Sequence, residues 1–244
     1  MGTIVGFSSA AAKGEGCGRF ASANKFGYHL KPLGKQIECL RKFFTHLKKP
    51  EVVDSIELPR GAEGWFAIPN IWKGNFPLDT YGHLVEQMLG WIKKERNGNF
   101  YNYRHNQLNP SHLRQSANTA TKWQRISVDQ GHPDILVIAG QFGCAYCHDS
   151  VQRALEIMLD QKQFGPGLFA TGIMLLTHPD RLCCCDDLEI DCAGDEFDDP
   201  CADRRFDHTP YLAFVDGRVV LDTCPSNQVT NCAGSVSVFL PDGF

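Results

Sequence analysis

Three segments of the chain repeat apolar residues every three or four positions, which is the spacing of one face of an α-helix. They predict amphipathic helices at about 35–48, 79–94 and 149–162. Either Asp79 or Thr80 is expected to cap the second helix, because short polar side chains accept the unpaired N–H groups at a helix start. A shorter helix is expected at about 111–118, after Asn109-Pro110.

Runs of β-branched and other apolar residues between glycines and prolines predict the strands. Asp134–Ala139 is almost continuously apolar, as expected of a central strand that is covered on both faces. The other expected strands are Val52–Leu58, Trp65–Ile68, Trp123–Val128, Thr171–Thr177, Leu188–Cys192, Tyr211–Val215, Val219–Asp222 and Ser235–Leu240. Between two of these strands lies Asp216-Gly217, which suits the positive φ angles of a type I′ hairpin turn.

Helices early in the chain and strands late in it indicate an α+β fold. We expect a largely antiparallel mixed sheet packed by about three amphipathic helices. One such domain should cover residues 35–244, preceded by a flexible region over 1–34 that is rich in Gly, Ala and Ser.

Composition excludes several classes of protein. With 244 residues and 43% hydrophobic residues, the chain can bury enough apolar surface to fold, so intrinsic disorder is not expected. The chain has no apolar run near the ~18 residues of a membrane span. No basic region followed by an apolar core and a cleavage site opens the chain, so we expect a cytoplasmic protein.

The net charge of −4 conceals two oppositely charged halves. Residues 1–125 carry 18 basic and 9 acidic side chains, whereas residues 126–244 carry 6 basic and 19 acidic ones. The first interpretation is that the halves face each other and neutralise within one fold. The alternative is a basic surface for anionic partners and an acidic one for cations.

The segment 91–125 interleaves aromatic residues with seven basic ones and a single acid, Glu95. Cations neutralise phosphates and aromatic rings stack on bases, so this composition is typical of single-stranded nucleic-acid binding. The acidity of the whole chain and the absence of a nucleic-acid-binding signature argue against it.

Eleven cysteines are many for a chain without an export signal. In a reducing compartment thiols stay free. A disulfide scaffold is therefore not expected, and the cysteines are interpreted as metal ligands, reactive thiols or small core residues.

The turn at 140–150 is the leading candidate for a ligand site, because it joins a buried strand to a helix. Gly140 and Gly143 would let the backbone approach a small anionic ligand, and the helix N-terminus would attract it. Cys144 and Ser150 complete the candidate ligand-binding set. An ordinary strand-to-helix turn with buried thiols is the alternative.

The same turn supports a second hypothesis, a cysteine-dependent enzyme. Cys147 and Arg153 have the Cys-x5-Arg spacing that resembles the loop of cysteine-dependent phosphatases, with Asp149 as a proton donor. The loop lacks the internal glycine of that pattern. Cys144 and Cys147 also resemble the Cys-x-x-Cys pair of thiol-redox proteins, so either cysteine could carry the chemistry.

A metal site is the remaining candidate. Cys144 and Cys147 could combine with Cys183 and Cys184 to supply four thiolates, a ligand set that suits zinc. Residues 180–207 hold 11 acidic side chains, which could bind calcium or magnesium, although their order departs from the regular calcium loop. A solvated acidic loop is the alternative.

The last third of the chain resembles an uncharacterised family of unknown function. The residues that carry the likeness are Gly172–Leu182, Asp187–Phe197, Pro210-Tyr211 and Asp216-Gly217-Arg218. The resemblance implies no activity, cofactor or catalytic residue.

Overall fold

The computed structural model describes residues 28–48, 57–73 and 80–241. The helices are α1 (Leu33–Leu40), α2 (Tyr81–Glu95), α3 (Ala117–Asp129), α4 (Val151–Asp160) and α5 (Gly167–Thr177). The strands are β1 (Gly64–Pro69), β2 (Phe100–Asn102), β3 (Leu113–Gln115), β4 (Ile135–Gln141), β5 (Gln163–Phe164), β6 (Glu189–Asp191), β7 (Asp195–Phe197), β8 (His208–Val215), β9 (Arg218–Pro225), β10 (Ala233–Ser235) and β11 (Ser237–Phe239). Two expectations lie partly outside the described residues. They are the flexible region 1–34, up to residue 27, and the strand Val52–Leu58, up to residue 56.

Two sheets carry these strands, and together they confirm the α+β class. The first sheet has the order β1-β4-β11-β5 and is antiparallel throughout. The second has the order β10-β6-β8-β7-β3, with β9 beside β8 and β2 beside β9. Only the β10–β6 and β2–β9 pairs are parallel in the described sheets, so the architecture is mixed and largely antiparallel.

Several strand predictions are confirmed. β1 and the fully buried β4 match Trp65–Ile68 and Asp134–Ala139, and β4 lies inside its sheet. β8 and β9 form the expected hairpin, and its turn residues Asp216 and Gly217 have φ angles of 50° and 79°.

The expected strand Ser235–Leu240 is interrupted at Val236. The residues before it form β10 in the second sheet, whereas the residues after it form β11 in the first sheet. Val236 and Val238 are both fully buried. This short segment therefore crosses from one sheet to the other and joins them.

The expectation that Thr171–Thr177 is a strand was wrong, because these residues end helix α5. All eleven residues of α5 are buried, so the helix has no exposed face. A run that is apolar on every side shows neither the helical nor the strand periodicity, and the sequence pattern therefore could not identify it as a helix. α5 packs against α2, where Gly172 lies directly against Met88.

The N-terminus of α5 is capped by side chains from distant parts of the chain. The Asp195 carboxylate accepts a hydrogen bond from the backbone N–H of Leu168 (2.7 Å) and another from the Tyr81 hydroxyl (2.8 Å). The Tyr81 oxygen in turn accepts from Phe169 N (3.3 Å). Local sequence therefore did not reveal this helix start, because its N-cap residue, Pro166, has no side-chain donor or acceptor.

The expected helix at 111–118 and the expected strand Trp123–Val128 were also wrong. The Asn109 side chain closes a turn on Ser111 N (3.0 Å) instead of starting a helix, and β3 follows. α3 begins later, where the Ser116 hydroxyl accepts from Thr119 N (3.2 Å). It then runs through Trp123–Val128, because Trp123 is buried and stacks on Trp72 at 4.2 Å between ring centroids.

The three amphipathic helices that the sequence predicts are found as α1, α2 and α4. α2 and α4 agree with the expected segments to within two residues at each end. α1 ends at Leu40 rather than near residue 48. The chain turns there, and Phe43 and Phe44 pack on the ring of Trp91, with centroids 5.2 and 4.8 Å away.

Across the described ranges, helix length and polarity rule out a membrane-crossing helix. The longest, α2, has 15 residues and a charged face, and α5 has 11. α5 is the most apolar helix, and it is covered on all sides by the rest of the fold.

We expect Asp195→Ala to lower the free energy of unfolding by about 2–4 kcal/mol, because it leaves a buried N–H and a buried hydroxyl without their acceptor. Asp195→Asn is the matched control. Burial raises the pKa of Asp195 to about 7, so a neutral amide resembles the protonated acid and should cost less. Urea denaturation of both variants measures the difference, and equal stabilities of wild type and Asp195→Ala would contradict this account of α5.

Candidate functional site

The turn after β4 folds tightly against β10. Gly143 has a φ angle of 102°, and a Cβ atom there would lie 2.4 Å from the carbonyl oxygen of Gly234. Residues Cys144–Tyr146 then form one turn of 3-10 helix. Gly140 belongs to β4 itself, where it pairs with Gly64 and Val238. Close backbone contact therefore requires a glycine at position 143, and a Cβ atom on Gly140 would lie 3.0 Å from the carbonyl oxygen of Ser237.

The N–H groups of this turn are already bonded to acceptors from the protein. The Gln141 carboxamide oxygen accepts from Gly143 N (2.6 Å) and Ala145 N (3.4 Å). A Glu63 carboxylate oxygen accepts from Phe142 N (3.1 Å). Glu63 and Gln141 thus occupy positions that a bound anion would take, and the hypothesis of an external anion at Gly140 and Gly143 gains no support from this geometry.

Cys144 lies half-buried beside an acid and a base. Burial and the Glu63 carboxylate raise the pKa of its thiol to about 12, and Arg181 lowers it by a smaller amount. The thiol therefore stays protonated at neutral pH. A protonated thiol is a weak nucleophile, so these surroundings do not favour Cys144 as a catalytic residue.

Arg181 connects this turn to the cysteine-rich loop that follows it in the chain. Its guanidinium is fully buried and donates to the carbonyl oxygens of Phe142 and Leu188, both at 2.9 Å. The charges that act on it include those of Glu63 and Asp187. The Tyr28 hydroxyl donates to Glu63 and closes the cluster from the N-terminal side.

The remaining predicted residues of the turn cap helix α4 or lie near its start. Ser150 is the N-cap, and its hydroxyl accepts from Arg153 N (3.2 Å). The Arg153 side chain is exposed and its guanidinium binds Glu156 at 2.8 Å. Cys147 is half-buried and its backbone forms a bridge with Gly234. The roles proposed for Cys147, Asp149 and Arg153 in catalysis stay predictions.

The loop Cys183–Asp187 gathers potential metal ligands. The buried Asp187 carboxylate accepts from Cys183 N (2.7 Å) and Cys184 N (2.8 Å), which fixes the backbone of the loop. The thiols of Cys184 and Cys185 and a carboxylate oxygen of Asp186 all lie within 4.8 Å of one another. We call these three residues the loop triad.

In residues 28–48, 57–73 and 80–241, the loop triad is the one group of three His, Cys, Asp or Glu side chains at this spacing. Of the four cysteines proposed as zinc ligands, Cys184 belongs to the loop triad. The other three lie outside it: Cys144, Cys147 and Cys183. Cys185 and Asp186 were not among the four assigned ligands, although Asp186 belongs to the acidic segment considered for calcium or magnesium. The run of three cysteines followed by two aspartates is the sequence signal that places them together.

Arginines pair with some of the carboxylates in the acidic segment 180–207. Glu196 pairs with Arg114 (2.7 Å), Asp198 with Arg205 (2.7 Å) and Asp199 with Arg104 (2.9 Å). Two of these arginines come from the basic half of the chain, as expected if the halves face each other. An arginine competes with a cation for each of these carboxylates, so the paired acids are poor candidates for calcium or magnesium.

The basic and aromatic segment 91–125 is mostly used within the fold. Trp91 and Trp123 pack on other aromatic rings, and Arg96 donates to the carbonyl oxygens of Leu182 (2.7 Å) and Pro179 (2.5 Å). Its two exposed aromatic side chains in the described ranges are Tyr101 and Tyr103. Such a segment offers few free cations and rings to a nucleic acid.

A cavity of about 740 Å³ lies between α4 and the open end of the β8–β9 hairpin. Its lining includes Glu196 and Asp199, which are already paired, and the imidazole of His208, which contacts the Asp207 carboxylate at 2.7 Å. Neither the 140–150 turn nor the loop triad contributes to this lining.

No family model, no curated protein and no solved structure matches this chain. The resemblance to an uncharacterised family therefore stays a prediction, and the candidate site rests on geometry alone.

We expect acidification to destabilise the protein through His178. This buried imidazole accepts from Lys31 N (3.0 Å) at Nε2, and Nδ1 lies 3.0 Å from the carbonyl oxygen of Met174, to which it donates. Burial lowers its pKa to about 4. The folded state binds fewer protons than the unfolded state between pH 4 and the ordinary value near 6.5, so this stability is lost as the pH falls through that window.

The full shift is worth about 3 kcal/mol. Thermal unfolding at several pH values between 4 and 7 should give a shallower pH dependence for His178→Gln, whose amide can still accept from Lys31 N but does not titrate. Identical pH slopes in wild type and variant would refute this assignment.

Proposed function

We propose that this protein binds a thiophilic divalent cation, with Zn²⁺ as the reference ion, through Cys184, Cys185 and Asp186. The observation that carries the proposal is the convergence of three ligand atoms within 4.8 Å on one loop. Two thiolates and a carboxylate are ligands that zinc accepts, whereas calcium and magnesium prefer oxygen alone.

The surroundings of the loop triad support a bound cation. The Asp186 carboxylate, and after it the Cys184 sulfur, raises the pKa of the Cys185 thiol, so a cation bound between these groups would favour the thiolates. Asp187 and Arg181 hold the loop from its buried side, so the ligands are brought together at a small entropic cost.

This proposal keeps the metal-binding part of the sequence-based hypothesis and shifts the ligands along the chain. Arg181 bonds Phe142 in the 140–150 turn and Leu188 just after the loop, so this side chain links the turn to the end of the loop that carries the triad. Three ligands from the protein leave one position of a tetrahedral zinc open. Water or a fourth donor would fill it.

We expect the double variant Cys184→Ser/Cys185→Ser, equilibrated with Zn²⁺, to bind one ion per chain fewer than the wild type. Either single substitution should weaken zinc binding by at least about 10- to 100-fold, because that is already the cost of losing a group that only orients a metal ligand. Competition with a chromogenic chelator measures the affinity, and elemental analysis measures the stoichiometry.

Cys183→Ser and Cys147→Ser are the matched controls. Both cysteines belong to the alternative four-thiolate site with Cys144 and Cys184, and neither belongs to the loop triad. If the loop triad binds zinc, these two variants keep wild-type affinity. A loss of zinc in the controls together with normal binding by Cys185→Ser would establish the four-thiolate site instead.

A further inference from the structure

A second cavity, of about 580 Å³, opens between helix α2, strand β2 and the turn that follows β2. Its volume lies within the range of sites for small molecules. The apolar part of its lining includes Leu89 and Phe100, which are both buried. Gly90 adds no side chain to the lining, and a Cβ atom there would meet nothing within 4 Å. We call this space the α2–β2 cavity.

An exposed aromatic ring borders the α2–β2 cavity. Tyr101 belongs to the lining and is 46% exposed. The ring of Tyr103, which is 52% exposed, stands edge-on to it with the two centroids 4.7 Å apart. Aromatic side chains that are exposed in this way can stack on planar ligands, nucleobases among them.

The charge around the exposed ring is positive. Among the described residues, the lining contains two basic side chains, Lys93 and His105, and one acid, Glu86. The Lys93 ammonium has no ion-pair or hydrogen-bond partner in the described part of the chain. The guanidinium carbon of Arg218 lies 5.1 Å from the Tyr101 ring centroid and adds a second permanent cation. An anionic group is therefore favoured beside this ring.

Two carboxamides supply hydrogen-bonding groups to the lining. The Oδ1 atom of Asn102 accepts from Arg104 N (2.8 Å), and its NH2 group has no acceptor among the described residues. The Asn106 side chain has no hydrogen bond within the same ranges, so both of its ends are available. A carboxamide can bond the edge of an adenine at two points. Stacking, positive charge and edge recognition are thus available at one cavity.

We propose that the α2–β2 cavity binds a small ligand in which a planar aromatic ring carries an anionic group, the class that includes nucleoside monophosphates. Tyr101 stacks on the ring, Lys93 neutralises the phosphate, and the carboxamides of Asn102 and Asn106 bond the edge of the base. These groups gather at one cavity, whereas a strand needs a groove that follows its backbone. The ligand is therefore a single nucleotide rather than a single-stranded nucleic acid.

Isothermal titration calorimetry of the full chain tests this proposal, with adenosine 5′-monophosphate as the probe. A chelator keeps the loop triad empty, so the outcome does not bear on the zinc proposal. The wild type should bind the monophosphate more tightly than adenosine, which lacks the anion, and than ribose 5-phosphate, which lacks the ring. Added salt should weaken the binding of the monophosphate and leave that of adenosine unchanged, because ions screen the attraction to Lys93.

Substitutions at two exposed positions test the stacking and the cavity separately. Tyr101→Ala should weaken binding about 5- to 100-fold, the loss typical of one stacked base, whereas Tyr101→Phe keeps the ring and should retain the affinity. Gly90→Leu fills the cavity and should abolish binding. Because a glycine inside a helix is destabilising, this variant should be at least as stable as the wild type.

Lys94→Gln is the matched control for Lys93→Gln. Both lysines are exposed and lie in the last turn of α2, but only Lys93 belongs to the cavity lining. Lys93→Gln should lose affinity for the monophosphate and keep its affinity for adenosine, and Lys94→Gln should change neither. Three results would each overturn the proposal: no binding by the wild type at millimolar concentration, equal affinity for ribose 5-phosphate, or unchanged binding by Gly90→Leu.

Discussion

The buried guanidinium of Arg181 is the interaction on which the arrangement of the candidate site depends. A fully buried cation is tolerated only where hydrogen bonds and opposite charge compensate for its lost hydration. Here two carbonyl oxygens, of Phe142 and Leu188, accept its hydrogen bonds, and Glu63 and Asp187 supply negative charge. These contacts hold the end of β4, in the first sheet, against the start of β6, in the second sheet.

The same cluster explains why the 140–150 turn is structural in character. Its N–H groups bind Gln141 and Glu63, and Glu63 also accepts from Tyr28. The turn therefore holds an internal anion in place of an external one. The ligand atoms of the loop triad lie outside the turn, on the loop that follows Arg181 in the chain.

Some of the opposite charge of the two halves of the chain is paired between them. Arg104 and Arg114 come from the basic half and bind acids of the segment 180–207. Partly exposed ion pairs of this kind contribute little to stability. Their consequence is chemical, because Asp199 and Glu196 are held by arginines and are therefore not the acids that a cation would meet first.

Sequence alone determined the elements whose signals are local: the Asp216-Gly217 hairpin, the apolar strand β4 and the amphipathic helices α2 and α4. It also indicated that cysteines and acids around residue 184 could bind metal. Tertiary structure decided the rest. α5 is a helix because Asp195 caps it from afar and other elements cover every face, which erases its periodicity. The role of the 140–150 turn was likewise decided by Glu63 and Arg181, which contact Phe142 from far away in the chain.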